Sequence, residues 1–306
     1  MTDAIEHTAP ARVKANGIEL VYDTFGEPDA PPMLLIMGLG CQMIDWKDGF
    51  CSLLAGRGFR VIRFDNRDVG QSTILEDAGH PRIADMVEAM QRGEGVEAPY
   101  VLSDLVADTI GLLDAIGVGT THVVGLSMGG MIAQLMAAGF PDRVLTLTSI
   151  MSTTGEPGLP PSTPEAWACL TAPLETELGP FLRQYVVKWR VYAGPKYPID
   201  PDAARDHAAR VFARGIHGAG RDRQMAAILA SGSRKEALAR ITCPALVIHG
   251  ESDPVVRIES GRATAAAIAG AEFLSFEGMG HDLAKGLWPE VVDAIARHAS
   301  RRALRQ

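Results

Sequence analysis

The chain has 306 residues, 47% hydrophobic and 22% charged, with a net charge of −8, a composition that fits one large or two ordinary globular domains. No basic stripe is present, which argues against nucleic acid as a partner, and the longest apolar runs, such as MLLIMGLGC at 33–41, are too short to span a bilayer. Four cysteines without a CxxC pair (Cys41, Cys51, Cys169 and Cys243) read as incidental thiols, and residues 1–17 show no leader-like apolar core, so a cytoplasmic location is expected.

Short β-branched runs alternate with amphipathic helical patterns. ARVK and GIELVYDTF flank the Asn16-Gly17 turn as a hairpin. PPMLLIMG and FRVIRFD read as buried strands, with a helix over WKDGFCSLLAGRG between them. SDLVADTIGLLDAIGV reads as a helix N-capped by Ser103, with Leu105, Ile110, Leu113 and Ile116 on its apolar face. Strand THVVG, helix MGGMIAQLMAAGF and strand RVLTLTSIM follow.

The rhythm then breaks. STTGEPGLPPSTP is rich in turn formers, and helical patterns succeed it at TPEAWACL, ELGPFLRQYVVKWRVY, DPDAARDHAARVFARG and GRDRQMAAILASG. Asp200-Pro201 reads as an N-cap followed by proline at the first helical position. Strand and helix alternate again from CPALVIHGESD through RIESGRATAAAIAG and AEFLSFEG to a last helix near Trp288-Pro289. The expected fold is α/β, a mostly parallel sheet flanked by helices. An inserted helical cap at 152–240 would divide a core formed by 1–151 and 241–306.

Strand, then Gly-Leu-Ser-Met-Gly, then helix is the context of a nucleophile elbow. A glycine-rich turn would use the same composition; the flanking strand and helix favour the elbow. The turn strains Ser127, while Gly125 and Gly129 leave room where side chains would collide. Serine needs a base, and the base an orienting acid, in the chain order Ser, acid, His. Asp253 follows strand ALVIHG and His281 follows AEFLSF, both on strand-end loops. Glu251 and Asp282 compete for the acid role, but Glu251 is too close to its strand end. His7, His80, His122 and His298 sit in a tail, before a proline, in a strand and on the last helix. His207 and His217 lie in the cap, where they could touch substrate but such residues are more often solvated, and His249 reads as structural support near the acid loop. Oxyanion donors are expected from the backbone N–H of Met128 and of Leu39, in the Gly38–Gly40 bend. Met43, Trp46, Trp167, Tyr185, Trp189 and Tyr192 are candidate pocket residues, the cap aromatics doubling as cap core.

With these residues identified, the chain resembles the α/β-hydrolase superfamily over nearly its whole length, through GLSMGG, HGESDPVV and GMGHDL. FDNRDVGQS resembles that family's D-x-R-G-x-G-x-S segment, departing at Asp68 where glycine is usual; Asp65 and Arg67 read as loop braces. Met37-Gly38 stands where many relatives carry His-Gly. With VVKWRVYAG and Trp46, this makes the chain similar to the aclacinomycin methylesterase group. The resemblance implies a cap-bearing serine carboxylesterase acting on a small-molecule ester, with no metal and no cofactor. Ser127 argues against epoxide hydrolase or dehalogenase chemistry, which needs a carboxylate at the elbow. A perhydrolase or cofactor-free haloperoxidase, a carbon–carbon bond hydrolase and a proline iminopeptidase remain rivals on the same fold. The last would use acidic residues such as Glu165, Glu175 or Glu177, which read as solvent-facing. The rival from another class is a binding protein without catalysis, against which the intact serine, aspartate and histidine argue.

Overall fold

The computed structural model describes residues 5–300; residues 1–4, part of the segment read as lacking a leader, and 301–306 lie outside the described residues. The strands are β1 (Ala11–Ala15), β2 (Ile18–Phe25), β3 (Pro32–Ile36), β4 (Arg60–Phe64), β5 (Thr121–Leu126), β6 (Val144–Ile150), β7 (Ala245–Gly250) and β8 (Glu272–Phe276). They form one sheet in the order β1-β2-β4-β3-β5-β6-β7-β8. The β1–β2 and β2–β4 pairs are antiparallel and all others parallel. The β1–β2 turn takes positive φ at Asn16 (49°) and Gly17 (79°), as a tight hairpin requires.

The helices are α1 (Asp48–Ala55), α2 (Ile83–Gln91), α3 (Leu102–Ala115), α4 (Met128–Gly139), α5 (Pro164–Thr171), α6 (Leu178–Tyr192), α7 (Pro201–Ala213), α8 (Gly218–Ser231), α9 (Lys235–Leu238), α10 (Ile258–Ala267) and α11 (Trp288–Ser300). In β3, Leu34 and Ile36 join the core under α3 and α4, while Met33 and Leu35 join the core under α1 and α11. A strand covered on both faces reads as an unbroken apolar run. Helix α4 is buried from Met128 to Gln134 because α3, α9 and the sheet enclose it, and so shows little amphipathicity.

One local expectation is corrected, and two helices lie where none is read from the sequence. Helix α3 begins two residues earlier than a Ser103 cap would place it: Val101 is its N-cap, and Asp104 Oδ2 accepts the Val101 N–H at 2.8 Å. The Leu102 N–H is taken by Ser231 Oγ of α8 at 3.0 Å, so no serine cap is needed. Helix α2 was not expected; it buries no residue and rests against α8. Helix α9, within 152–240, packs on α4 and α10. Asp200 does cap α7, accepting the N–H groups of Asp202 and Ala203 at 3.0 and 3.2 Å ahead of Pro201.

The connection from β3 runs to β4 on one side, whereas that from β5 runs to β6 on the other. The ends of β3 and β5 therefore flank a topological switch point, where open α/β sheets form their crevice. Helices α5–α8 lie between β6 and β7 in sequence. Of these, α6 and α7 pack on each other and on Met43 and Ile44 in the loop after β3. Among the described residues no helix is long and apolar enough to cross a membrane, and no group of three or more His, Cys, Asp or Glu is arranged to hold a metal.

Candidate active site

Ser127 sits between β5 and α4 at φ 56° and ψ −118°. A serine tolerates this region only where its surroundings impose it. The Ser127 N–H donates to Ile150 O at 2.8 Å, and Ser152 Oγ donates to Ser127 O at 2.9 Å. A Cβ at Gly125 would lie 2.1 Å from Gly129 O, and one at Gly129 would lie 2.0 Å from Ile36 O. Backbone fills the space a methyl group would need. Gly129→Ala is therefore expected to shift the junction, lowering the thermal midpoint by about 5 °C or more and removing activity. A soluble variant with the parent's midpoint would show that the close approach is not required.

His281 Nε2 lies 3.0 Å from Ser127 Oγ, and His281 Nδ1 lies 2.7 Å from Asp253 Oδ2. The other Asp253 oxygen accepts the N–H groups of Val255 and Val256 at 2.8 and 2.9 Å, which fixes the carboxylate plane. Asp253 is 1% exposed and His281 6%, so solvent does not compete for these bonds. His249 supports the acid loop: its Nε2–H donates to Val256 O at 2.7 Å and lies 3.6 Å from Asp253 Oδ2. Burial holds His249 below its usual pKa, opposed by Asp253. Glu251 points elsewhere, accepting from Ser275 Oγ at 2.7 Å. The His281 N–H donates to Tyr192 O at 2.7 Å, at the end of α6.

Ser127 and His281 open into a cavity of about 280 Å³. Gly38, Leu39 and Gly40 form part of its wall, and a Cβ at Gly38 would meet Ser127 Cβ at 3.2 Å. Gln224 holds this bend, accepting the Gly40 N–H at 2.8 Å and donating to Arg67 O at 2.7 Å. Met128 buries its side chain in the core and opens α4, where an N–H has no carbonyl four residues back. Trp46, Trp167, Tyr185, Trp189 and Tyr192 all line the cavity. Met43 does not: it is fully buried among Val21, Ile44 and Phe181, and its N–H donates to Asp65 Oδ1 at 2.7 Å. Glu165, Glu175 and Glu177 are exposed and absent from the cavity wall.

The loop braces behave as expected and carry more than expected. Arg67 forms a two-pronged pair with Asp108 at 2.5 and 2.6 Å. Asp65 accepts from Met43, Gln71 and Arg214. Asp68 adopts φ 68° where glycine would be comfortable.

Sequence reading missed a polar cluster at the far wall. Asp45 Oδ1 accepts from His207 Nε2 and from the Tyr185 hydroxyl, both at 2.9 Å. Lys47 Nζ lies 3.7 Å from the same oxygen. His207 is thus a buried partner of Asp45, not a solvated cap residue. His217 lines the cavity and bonds Gly70 O at 3.2 Å. His7, read as tail, stacks on Phe25 and bonds Asp23 at 3.0 Å. Asp282 also lines the cavity; burial pushes its carboxyl up, opposed by Lys47. Burial opposes ionisation of Asp45 too, but the His207 hydrogen bond and Lys47 outweigh it and hold the carboxyl well below its ordinary 3.8. Such a group stabilises the fold above its unfolded value and loses that contribution as pH falls through the folded value. Asp45→Asn is therefore expected to lower the thermal midpoint at pH 7 by about 2–5 °C, with the gap to the parent closing below about pH 4. Scanning calorimetry from pH 7 to 3 checks this; a constant gap would remove the ionic explanation.

A family model described as the alpha/beta hydrolase fold matches residues 31–284. The chain is 32% identical to the rhodomycin D methylesterase of Streptomyces peucetius over 312 residues, covering 94% of this chain and 98% of that one. It is likewise 32% identical to the rhodomycin D methylesterase of Streptomyces sp. strain C5, covering 92% and 95%. Among solved structures, the enol-lactonase from Burkholderia xenovorans LB400 superposes with a TM-score of 0.68 at 24% identity, covering 96% of this chain and all of that one. At that identity the likeness speaks for the fold.

Proposed function

The chain belongs to the α/β-hydrolase fold family, and from that premise we propose that it is a serine hydrolase cleaving carboxylic esters of small molecules, methyl esters among them, through an acyl-enzyme. The observation that carries the reading is the unbroken path from Ser127 Oγ through His281 to a buried Asp253, opening into an enclosed cavity.

In this mechanism His281 takes the proton of Ser127 as Oγ attacks the ester carbonyl. Asp253 holds the imidazole with Nδ1–H directed at itself and stabilises the imidazolium that forms. The N–H groups of Leu39 and Met128 receive the oxyanion, the second aided by the dipole of α4. His281 then protonates the leaving alcohol and activates water for deacylation. Residues 152–240 act as the cap, and the aromatic side chains of α6 wall the pocket. The relatives named for methyl-ester cleavage at 32% identity support the substrate class.

The test is labelling of Ser127 by a fluorophosphonate together with a rate panel of p-nitrophenyl esters and an aromatic methyl ester. Labelling with turnover of at least one ester is expected. No labelling and no turnover across the panel would sink the reading.

A further inference from the structure

Three cationic side chains line the cavity: Lys47, Lys188 and Arg221. Two are matched internally. Lys47 lies 3.7 Å from Asp45, and Arg221 lies 2.7 Å from Asp222 while donating to Ala172 O at 2.6 Å. Lys188 differs. Among the described residues no carboxylate lies within 4 Å of its ammonium. Instead Nζ rests over the rings of Tyr185 and Trp189, 5.0 and 5.1 Å from their centres.

Asp45 is the nearest acid by influence, but its oxygens are taken by His207, Tyr185 and the Gln42 N–H. Cys41 and Cys169 also feel the lysine; burial raises both thiols, Cys41 to about 11, and leaves them neutral. Asp282 faces Lys47. Two aromatic faces hold the Lys188 ammonium in place without neutralising it. A half-buried cation fixed in an apolar cavity with no carboxylate in direct contact suits an external anion.

Tyr185 and Trp189 continue through Tyr192 to His281, with ring centres 5.9, 5.7 and 6.0 Å apart. The lysine and the reacting serine therefore sit at separate places along one wall. We propose that Lys188 is a specificity determinant that pairs with a carboxylate carried by the substrate away from the ester being cleaved. This rests on the ester-hydrolase reading above.

Selectivity tests the proposal, taken as kcat/KM for p-nitrophenyl hydrogen adipate over p-nitrophenyl hexanoate and for 4-acetoxybenzoate over phenyl acetate. The two pairs place the carboxylate on the acyl and on the alcohol side. In one pair the ratio should fall about tenfold in Lys188→Met, mainly through KM, and further in Lys188→Glu, while Lys188→Arg restores it to within about twofold. Ratios unchanged in Lys188→Met and Lys188→Glu for both pairs would overturn the proposal while leaving ester hydrolysis standing.

Binding without turnover gives an independent arm on the parent protein. 4-Methylbenzoate should raise the thermal midpoint more than 4-methylbenzamide does, an advantage that 0.5 M salt reduces. Equal shifts for acid and amide would count against the proposal even if the lysine variants failed to fold. A parent that turns over no ester at all contradicts the hydrolase reading instead, and the acid-versus-amide comparison still decides on the anion site.

Discussion

Ser127→Ala is expected to lower kcat for ester hydrolysis by roughly 10^4- to 10^6-fold and to abolish fluorophosphonate labelling. The size follows from the role: without Oγ there is no acyl-enzyme, and the remaining donors only assist direct attack by water. The fold should barely register the change. Serine and alanine share Cβ, the backbone remains at φ 56° in either case, and Ser127 is tied to Ile150 O and Ser152 by backbone atoms the variant keeps. The midpoint should stay within about 2 °C of the parent. A variant that keeps more than a hundredth of the parent's turnover would show that another nucleophile performs the reaction.

The largest effect on stability is expected at Arg223. This arginine reaches Asp68 with Nε at 2.9 Å and a second nitrogen at 2.6 Å, and Tyr100 donates its hydroxyl to the same carboxylate at 2.7 Å. Asp68 is fully buried and Arg223 is 1% exposed. Arg223→Met would leave a buried carboxylate facing one hydroxyl and the Leu75 N–H. Stranding a charge in this way costs about 3–5 kcal/mol. Asp68→Gly in the same background removes the stranded charge and places glycine at φ 68°, where it is at ease. The double variant should therefore be more stable than Arg223→Met alone, a non-additivity that urea unfolding measures. If the double variant is the less stable of the two, the carboxylate is not the source of the loss.

The same residue illustrates what a sequence conceals. The departure of FDNRDVGQS from its family's pattern was visible at Asp68, but its compensation lies 155 residues away in α8. The meeting of Ser127, Asp253 and His281 was legible because each is a local signal, a strand ending in a loop with one reactive side chain. The parallel sheet was legible because strands such as β3 are apolar on both faces. The far wall of the cavity was not. Asp45 and His207 are 162 residues apart, and each is ordinary in its own neighbourhood. Met43 misled for a related reason: it follows the Gly38–Gly40 bend closely, yet its chain turns inward and seats it under α6 and α7. Helix α2 carries an apolar stripe, Ile83, Met86, Val87 and Met90 at helical spacing, but buries none of it, and it passed unread between the stronger signals on either side.

The bond from the His281 N–H to Tyr192 O joins the proposed general base to the last turn of α6. A Cβ at Gly194 would meet Gly278 O at 2.1 Å, and one at Gly280 would meet Tyr192 O at the same distance, so the two backbones lie against each other. The helical segment is consequently not an interchangeable module. Grafting a relative's segment onto this core, or this segment onto another core, would re-aim His281 along with the pocket. Diversification of substrate range on this scaffold should therefore be easiest at α5 and α7. At α6, selectivity and turnover are inherited together.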